Sequence, residues 1–386
     1  MLYFGNFVKK HEYIILKRKP NILVCPLDWG IGHATRCVPV INELIRQNAN
    51  VIIGADNRPL AFLKNEFPDL QFEKFPGYNF SYPGKGNMAL KMFFLAPRII
   101  KGIKKENKYL KEIVRKLKID VVISDNRFGL WTEDIPCVFM THQIMIKTPG
   151  KLKFFEPVLY KINKFYISKF NECWIPDFKG ELNLSGELSH KKPLPANSYY
   201  IGPLSRFANK QTENSLSEST EHFKYDLMVM LSGPEPQRTI LENRILEELK
   251  DTDFKAIIVS GKPEMIEEHN LNNNIKVFSH LESKTLKQCI IDSKVILSRP
   301  GYSTIMDLAA LGGKAIFIPT SGQTEQEYLA DHFYKKKIYF KMDQKEFNLK
   351  EALKNAEKYN GLNLTYELSV LKLRIQNLIS MVSLKR

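Results

Sequence analysis

The sequence predicts an α/β protein of two doubly wound parallel-sheet domains facing each other across a cleft. Three observations carry this reading. Short apolar runs alternate with amphipathic stretches, the pattern of βαβ units. The same grammar starts again after a polar, aperiodic stretch, "ANKQTENSLSESTEHFK" (208–224). The 386 residues suffice for two cores at about 100–200 residues per domain.

Taken in order, "NILVC" (21–25) reads as a buried strand, followed by a glycine turn and a helix to about Arg46. "NVIIGA" (50–55) is a second strand, residues 59–66 are helical, and "LQFEKFP" (70–76) alternates as a third strand. "DVVISD" (120–125) and "PCVFMTH" (136–142) are further strands ending in polar residues. In the second half "YDLMVMLSG" (225–233) enters a glycine, "RTILENRILEELK" (238–250) is a helix, and "KAIIVSG", "NIKVFSHL", "KVILSRPG" and "GKAIFIPT" are four more strands. The expected organisation is an extension over 1–19, a first domain over 20–204, a linker over 205–224 and a second domain over 225–365. A helix over 366–386 then packs back on the first domain. In open α/β sheets, ligands bind at the carboxyl ends of strands, where helix N-termini present free N–H groups. The strand-end residues would therefore line the cleft.

The net charge is +15, from 57 Lys+Arg against 42 Asp+Glu, which favours an anionic partner without choosing one. No apolar stretch reaches the ~20 residues needed to span a bilayer, and the first twenty residues lack the apolar core of a signal peptide. Cys25, Cys37, Cys137, Cys173 and Cys289 form no CxxC pair, which points to neither zinc nor disulfides and suits a reducing cytoplasm. The stretches 87–118, containing Met92, Phe93, Phe94 and Leu95, and 151–170 set apolar residues beside dense lysines. They read either as solvated helices with one side in the core or as elements lying on an anionic membrane surface.

"DWGIGHATRC" (28–37) places His33 where a strand turns into a helix. One reading is a turn or capping residue. The other is a base: Gly30 and Gly32 let a ligand approach the backbone, and a helix N-terminus disfavours imidazolium, leaving a neutral imidazole. Arg36, one turn on, is a cationic anchor. Asp28 reads as a cleft residue because a buried unpaired carboxylate is costly.

The segment "SRPGYSTIMDLAALGGKAIFIPTSGQTEQEYLADHF" (298–333) is more specific. Gly301 allows a turn, Ser303 and Thr304 can cap the next helix and offer backbone N–H groups to a diphosphate, and Asp307 lies within reach of a ribose diol. Gln323, Glu325 and Gln326 suit a hydroxyl-rich ligand. With Arg299, Gly301, Thr304, Asp307 and then Gln326-Glu327-Tyr328-Leu329-Ala330, this segment resembles the nucleotide-sugar region of two-domain (GT-B) glycosyltransferases, especially family 28. It departs from the family pattern in Asp307 for Glu, Ala315 for Pro and Leu329 for Asn. "LSGPEPQRT" (231–239), with Ser232 and Gly233, takes the place of the family's diphosphate loop but carries two prolines. "THQ" (141–143), with His142 and Gln143, resembles its strand-end turn, and "GIGHATRC" its N-terminal glycine loop.

The resemblance implies two Rossmann-like domains, a UDP-sugar as donor substrate rather than a cofactor, and a glycan or lipid-linked acceptor. His33 and Asp28 would be catalytic. Arg36, Asp125, Arg127, His142 and Gln143 would lie on the acceptor side. Gly30, Gly32, Ser232, Gly233, His280, Arg299, Gly301, Ser303, Thr304, Asp307, Gln323 and Gln326 would bind the nucleotide sugar. Asp125 and Arg127 have a second reading as an internal ion pair, His142 as a group that only bonds its turn, and His280 as a loop residue acting through its backbone. No Asp-x-Asp is present to hold a metal, and no stacking-aromatic module suggests nucleic acid. The string Gly-x-Gly-His-x-x-Arg also resembles a UDP-sugar hydrolase, and a nucleotide-sugar epimerase would share the fold. The expected location is cytoplasmic, peripheral on the inner face of the membrane.

Overall fold

The computed structural model describes residues 18–77, 88–208, 223–233 and 235–384. The expected extension over 1–19 and the centre of the linker lie almost wholly outside these residues, as do the side chains of Met92, Phe93, Phe94 and Leu95. The first domain runs β1 (Asn21–Pro26), α1 (Ile31–Arg46), β2 (Asn50–Ala55), α2 (Asn57–Glu66), β3 (Gln71–Lys74), α3 (Met88–Lys116), β4 (Val121–Asp125), β5 (Cys137–Met140), α4 (Glu156–Ile167), β6 (Glu172–Ile175), α5 (Glu187–His190) and β7 (Ser198–Tyr200). The second runs β8 (Tyr225–Met230), α6 (Gln237–Leu249), β9 (Ala256–Val259), β10 (Glu268–Asn272), β11 (Ile275–Phe278), α7 (Ser283–Ile291), β12 (Ser293–Ser298), α8 (Tyr302–Leu311), β13 (Lys314–Phe317), α9 (Thr324–Lys335), β14 (Phe340–Lys341), α10 (Leu349–Ala356) and finally α11 (Ser369–Leu384).

Each domain holds a seven-stranded sheet. The orders are β3-β2-β1-β4-β5-β6-β7 and β10-β11-β9-β8-β12-β13-β14. All pairings are parallel except β10–β11. Helices cover both faces, so the central strands read as continuous apolar runs: β4 is buried at every position and β1 at all but its first. β6, β7, β10 and β14 were not anticipated. They are two to five residues long; β10, "EHNLN", is exposed or half-buried throughout, so it carries no apolar pattern to read.

In both sheets the order reverses beside the first strand, between β1 and β4 and between β8 and β12. Such switch points open a crevice at the strands' carboxyl ends. The turns after β1 and β12 therefore deliver α1 and α8 to one place between the domains. α11 buries Leu371, Ile375, Leu378 and Val382, a helical spacing. It crosses to the first domain: Gln47 Nε2 donates to Lys372 O at 2.9 Å, and Arg374 pairs with Glu172.

Candidate functional site

The interdomain cleft is a cavity of about 180 Å³. The first domain contributes Trp29 through His33, Arg36 and His142; the second contributes Ser232, Gly233, His280, Gly301 through Thr304, Gln323, Glu325 and Gln326. Gly30 begins α1 with φ 144°, a conformation open mainly to glycine. Gly32 meets the second domain closely: a Cβ there would lie 3.3 Å from Ser303 Oγ. Gly301 begins α8 at an ordinary φ of −71°, so its missing side chain, rather than its backbone freedom, serves the cleft. Neither α1 nor α8 has a side-chain cap. Two helix N-termini thus present first-turn N–H groups and positive dipole ends at one cleft. Ser303, expected as a cap, instead donates its hydroxyl to Gly32 O across the cleft at 2.5 Å.

His33 is held by an ion network. Its Nδ1 lies 3.0 Å from Asp125 Oδ2 and 2.8 Å from Arg36 Nη2. Both cannot be hydrogen bonds to one nitrogen, since one needs Nδ1 to donate and the other to accept. Asp125 is wholly buried; burial would raise its pKa, but Arg36 and His33 outweigh that and hold it below the usual carboxylate value. An ionised carboxylate only accepts, so Nδ1 carries the proton and donates to Asp125. In the neutral tautomer that this bond selects, Nε2 is the nitrogen without a proton. Arg36 donates its Nε to Asp125 at 2.9 Å, its Nη2 to the same carboxylate and its Nη1 to His142 Nδ1 at 3.0 Å. His142 Nε2 in turn donates to Glu325 Oε1 of the second domain at 2.7 Å, and the His142 ring stacks flat on Tyr302, with centroids 4.0 Å apart.

On the second-domain side, Gln326 Oε1 accepts from Thr320 N at 2.8 Å, fixing the amide. Gln323 Oε1 is buried with no hydrogen-bond partner among the described residues, an acceptor that a sugar hydroxyl would satisfy. Asp307 lines the cleft but is already occupied. Ser205 Oγ donates to it at 2.7 Å and Arg206 Nε at 3.3 Å. Arg206 also lines the cleft and donates to Ser283 Oγ at 3.2 Å.

Four expected roles need correction. Asp28 does not line the cleft: it accepts from Asn57 Nδ2 at 2.6 Å and packs against Gly77, facing the start of α2. Arg127 is fully buried; it pairs with Glu106 at 2.7 Å and donates to Pro76 O at 2.5 Å, bracing strand ends rather than meeting an acceptor. Arg299 is also buried and donates to Ile318 O, Gln237 O and Gln344 Oε1 at 2.7–2.9 Å; burial pulls its pKa down to about 10, and it anchors the turn without reaching the cleft. Asp125 is wholly buried against His33 and Arg36 and does not line the cleft. Gln143 turns its amide to Glu325. Two charged cleft residues, Glu325 and Arg206, are absent from the predicted site. Glu325 reads from the sequence as suited to a hydroxyl-rich ligand, but its pairing with His142 is not legible there. Arg206 sits at the edge of a linker and carries no local signal.

Two histidines make a pH prediction. Burial holds His142 below its ordinary value despite Glu325; burial, helped by Lys336, takes His332 down to about 4. Below the unfolded value of about 6.5 the unfolded chain binds protons that the folded chain refuses. Their contribution is therefore complete above that pH and is lost as pH falls toward the folded values. Differential scanning calorimetry should show a melting temperature falling from pH 6.5 to 4.5, with a shallower slope in His332→Gln. Equal slopes would reject the assignment for His332.

Comparison with known proteins agrees with this architecture. Residues 237–364 match the glycosyltransferase family 28 C-terminal domain, and residues 21–147 match glycosyl transferase family 1. No curated protein sequence matches the chain. Among solved structures, the glycotransferase of kitacinnamycin aligns over 95% of this chain and 98% of its own at 12% identity and TM-score 0.58. The calicheamicin glycosyltransferase CalG4 aligns over 95% of both chains at 12% identity and TM-score 0.57. SnogD from Streptomyces nogalater aligns over 95% of this chain and 96% of its own at 14% identity and TM-score 0.52. At such identities the structures speak for the fold, and the two family matches for the kind of protein. The chain has the GT-B fold of two-domain glycosyltransferases, with a family 28 C-terminal domain matched over residues 237–364.

Proposed function

We propose that the protein transfers a hexosyl unit from a UDP-sugar to an acceptor hydroxyl without a bound metal. The observation that carries this reading is the His33–Asp125 pair at 3.0 Å, set across one cleft from the uncapped N-terminus of α8. His33 Nε2 takes the acceptor's hydroxyl proton as that oxygen bonds to the anomeric carbon. The bond from that carbon to the diphosphate oxygen breaks, and its electrons leave with UDP. Asp125 steadies the imidazolium. The N–H groups of Ser303 and Thr304, aided by the Ser232–Gly233 turn, receive the diphosphate charge where water is excluded. Asp307 would read the ribose, the loop of His280 the base, and Gln323, Glu325 and Gln326 the sugar.

The cleft's 180 Å³ is smaller than the roughly 300–1,000 Å³ of ligand sites. Donor entry therefore separates the domains, and the Ser303–Gly32 and His142–Glu325 contacts give way to the ligand. We place the acceptor on a lipid or cell-envelope glycan at the inner face of a membrane. Supporting this, Phe154, Phe155, Val158, Ile162 and Phe165 are exposed in the stretch that carries Lys153, Lys161 and Lys164, and each cation near an anionic leaflet contributes ~1 kcal/mol. Among the described residues, no helix is long and apolar enough to cross a membrane.

Titration calorimetry with UDP, GDP, ADP and dTDP should show binding strongest for UDP. No binding of any nucleoside diphosphate would reject the reading. Because water can replace the acceptor alcohol at His33, release of free sugar from UDP-sugars without acceptor, undiminished when alcohols are added, would instead identify a hydrolase.

A further inference from the structure

A second cavity, of about 740 Å³, opens where residues 147–191 of the first domain meet α9 of the second. It shares no lining residue with the cleft. Five lysines line it: Lys147, Lys153 and Lys191 from one domain, Lys335 and Lys336 from the other. Of its three carboxylates, Glu187 is taken by Lys147 at 2.5 Å and Lys191 at 2.8 Å, hydrogen bonds that draw its pKa down to about 2. Asp331 is taken by Lys341 from outside the groove at 2.7 Å. Glu156 accepts from Thr148 N at 3.2 Å. No carboxylate pairs with Lys153, Lys335 or Lys336 among the described residues.

The floor is polar as well. Tyr328 Oη accepts from Glu187 N at 2.6 Å, which leaves its own hydrogen to donate. Gly186 keeps the floor open: at φ +52° a Cβ there would lie 2.3 Å from Tyr328 Oη and 2.8 Å from His332.

We propose that this groove binds a multiply charged phosphate anion, a diphosphate or larger, held between lysines of both domains. Lys153, Lys335 and Lys336 have no carboxylate to neutralise them among the described residues, and an anion bridging them draws the two domains together. The site is separate from donor binding and does not rest on it. The phosphate could belong to a soluble compound or to a lipid headgroup.

The test is calorimetric titration of pyrophosphate into the full chain, with and without UDP. The double variant Lys335→Glu/Lys336→Glu changes only exposed side chains. Wild type should bind pyrophosphate in the presence of UDP, and the double variant should bind it at least about tenfold more weakly while its UDP affinity is unchanged. Should that variant fold poorly, Lys153→Glu probes the same groove from the first domain. Flotation with phosphatidic acid vesicles, released by pyrophosphate and absent for the double variant, would assign the phosphate to a headgroup. Pyrophosphate binding without flotation would assign it to a soluble ligand. No pyrophosphate binding by wild type, or equal affinity in the charge-reversed variants, overturns the proposal, whatever UDP does in the cleft.

Discussion

His33→Ala is expected to lose about 10²–10⁴ in turnover, the usual worth of a positioned general base, while UDP affinity and melting temperature change little. The side chain is 19% exposed and lines the cleft, so its removal enlarges an existing opening instead of leaving a sealed void. The carboxylate beneath it keeps Arg36, whose Nε and Nη2 both donate to it, so Asp125 is not left unpaired. His33→Gln separates two roles. A glutamine can hold an acceptor by a hydrogen bond but cannot take its proton, so it should be as slow as alanine. Initial rates with a UDP-sugar, alongside UDP calorimetry on the same preparations, decide the matter. Substantial activity in His33→Gln would make His33 an orienting residue; full activity in both variants would make it a turn residue only.

Asp307→Ala should unfold the protein more readily as well as weaken donor binding. The sequence alone suggests only the second effect, through loss of a ribose contact. In the folded chain the carboxylate is buried, its pKa raised by that burial, and it is the partner of Arg206, whose side chain is 8% exposed. Removing one member of a buried pair leaves the other charge uncompensated, which costs about 3–5 kcal/mol. Ser205 also loses its acceptor. Chemical denaturation should register that loss in Asp307→Ala. Asp307→Asn, which keeps volume and one acceptor, serves for the binding question: wild type should prefer UDP to its 2′,3′-dideoxy analogue, and the asparagine variant should lose much of that preference. A wild type indifferent to the ribose hydroxyls would make Asp307 purely a clasp between the linker and α8.

Periodicity and strand-end chemistry by themselves determined two parallel-sheet domains, the places of β1, α1, β12 and α8, and the glycine-flanked histidine between the first two. These follow from local rules: a buried parallel strand must be apolar throughout, and a close backbone approach must leave out the side chain. The short strands β6, β7, β10 and β14 escaped because two to five residues carry too little pattern to distinguish from a loop. What only the tertiary structure decided is which polar groups meet. Asp28, Arg127 and Arg299 look like cleft residues because charged side chains at strand ends usually are; each is instead consumed by neighbours in the fold, Arg127 by an ion pair and the other two by hydrogen bonds, since a buried charge must be paired or hydrogen-bonded. Asp125 is 92 residues from His33, and Glu325 is 183 from His142. No local rule relates positions so far apart. The first pairing, and with it the tautomer of His33, depends on β1 and β4 standing side by side at one sheet's switch point; the second, and with it the closure of the cleft, depends on the switch points of two sheets meeting in space.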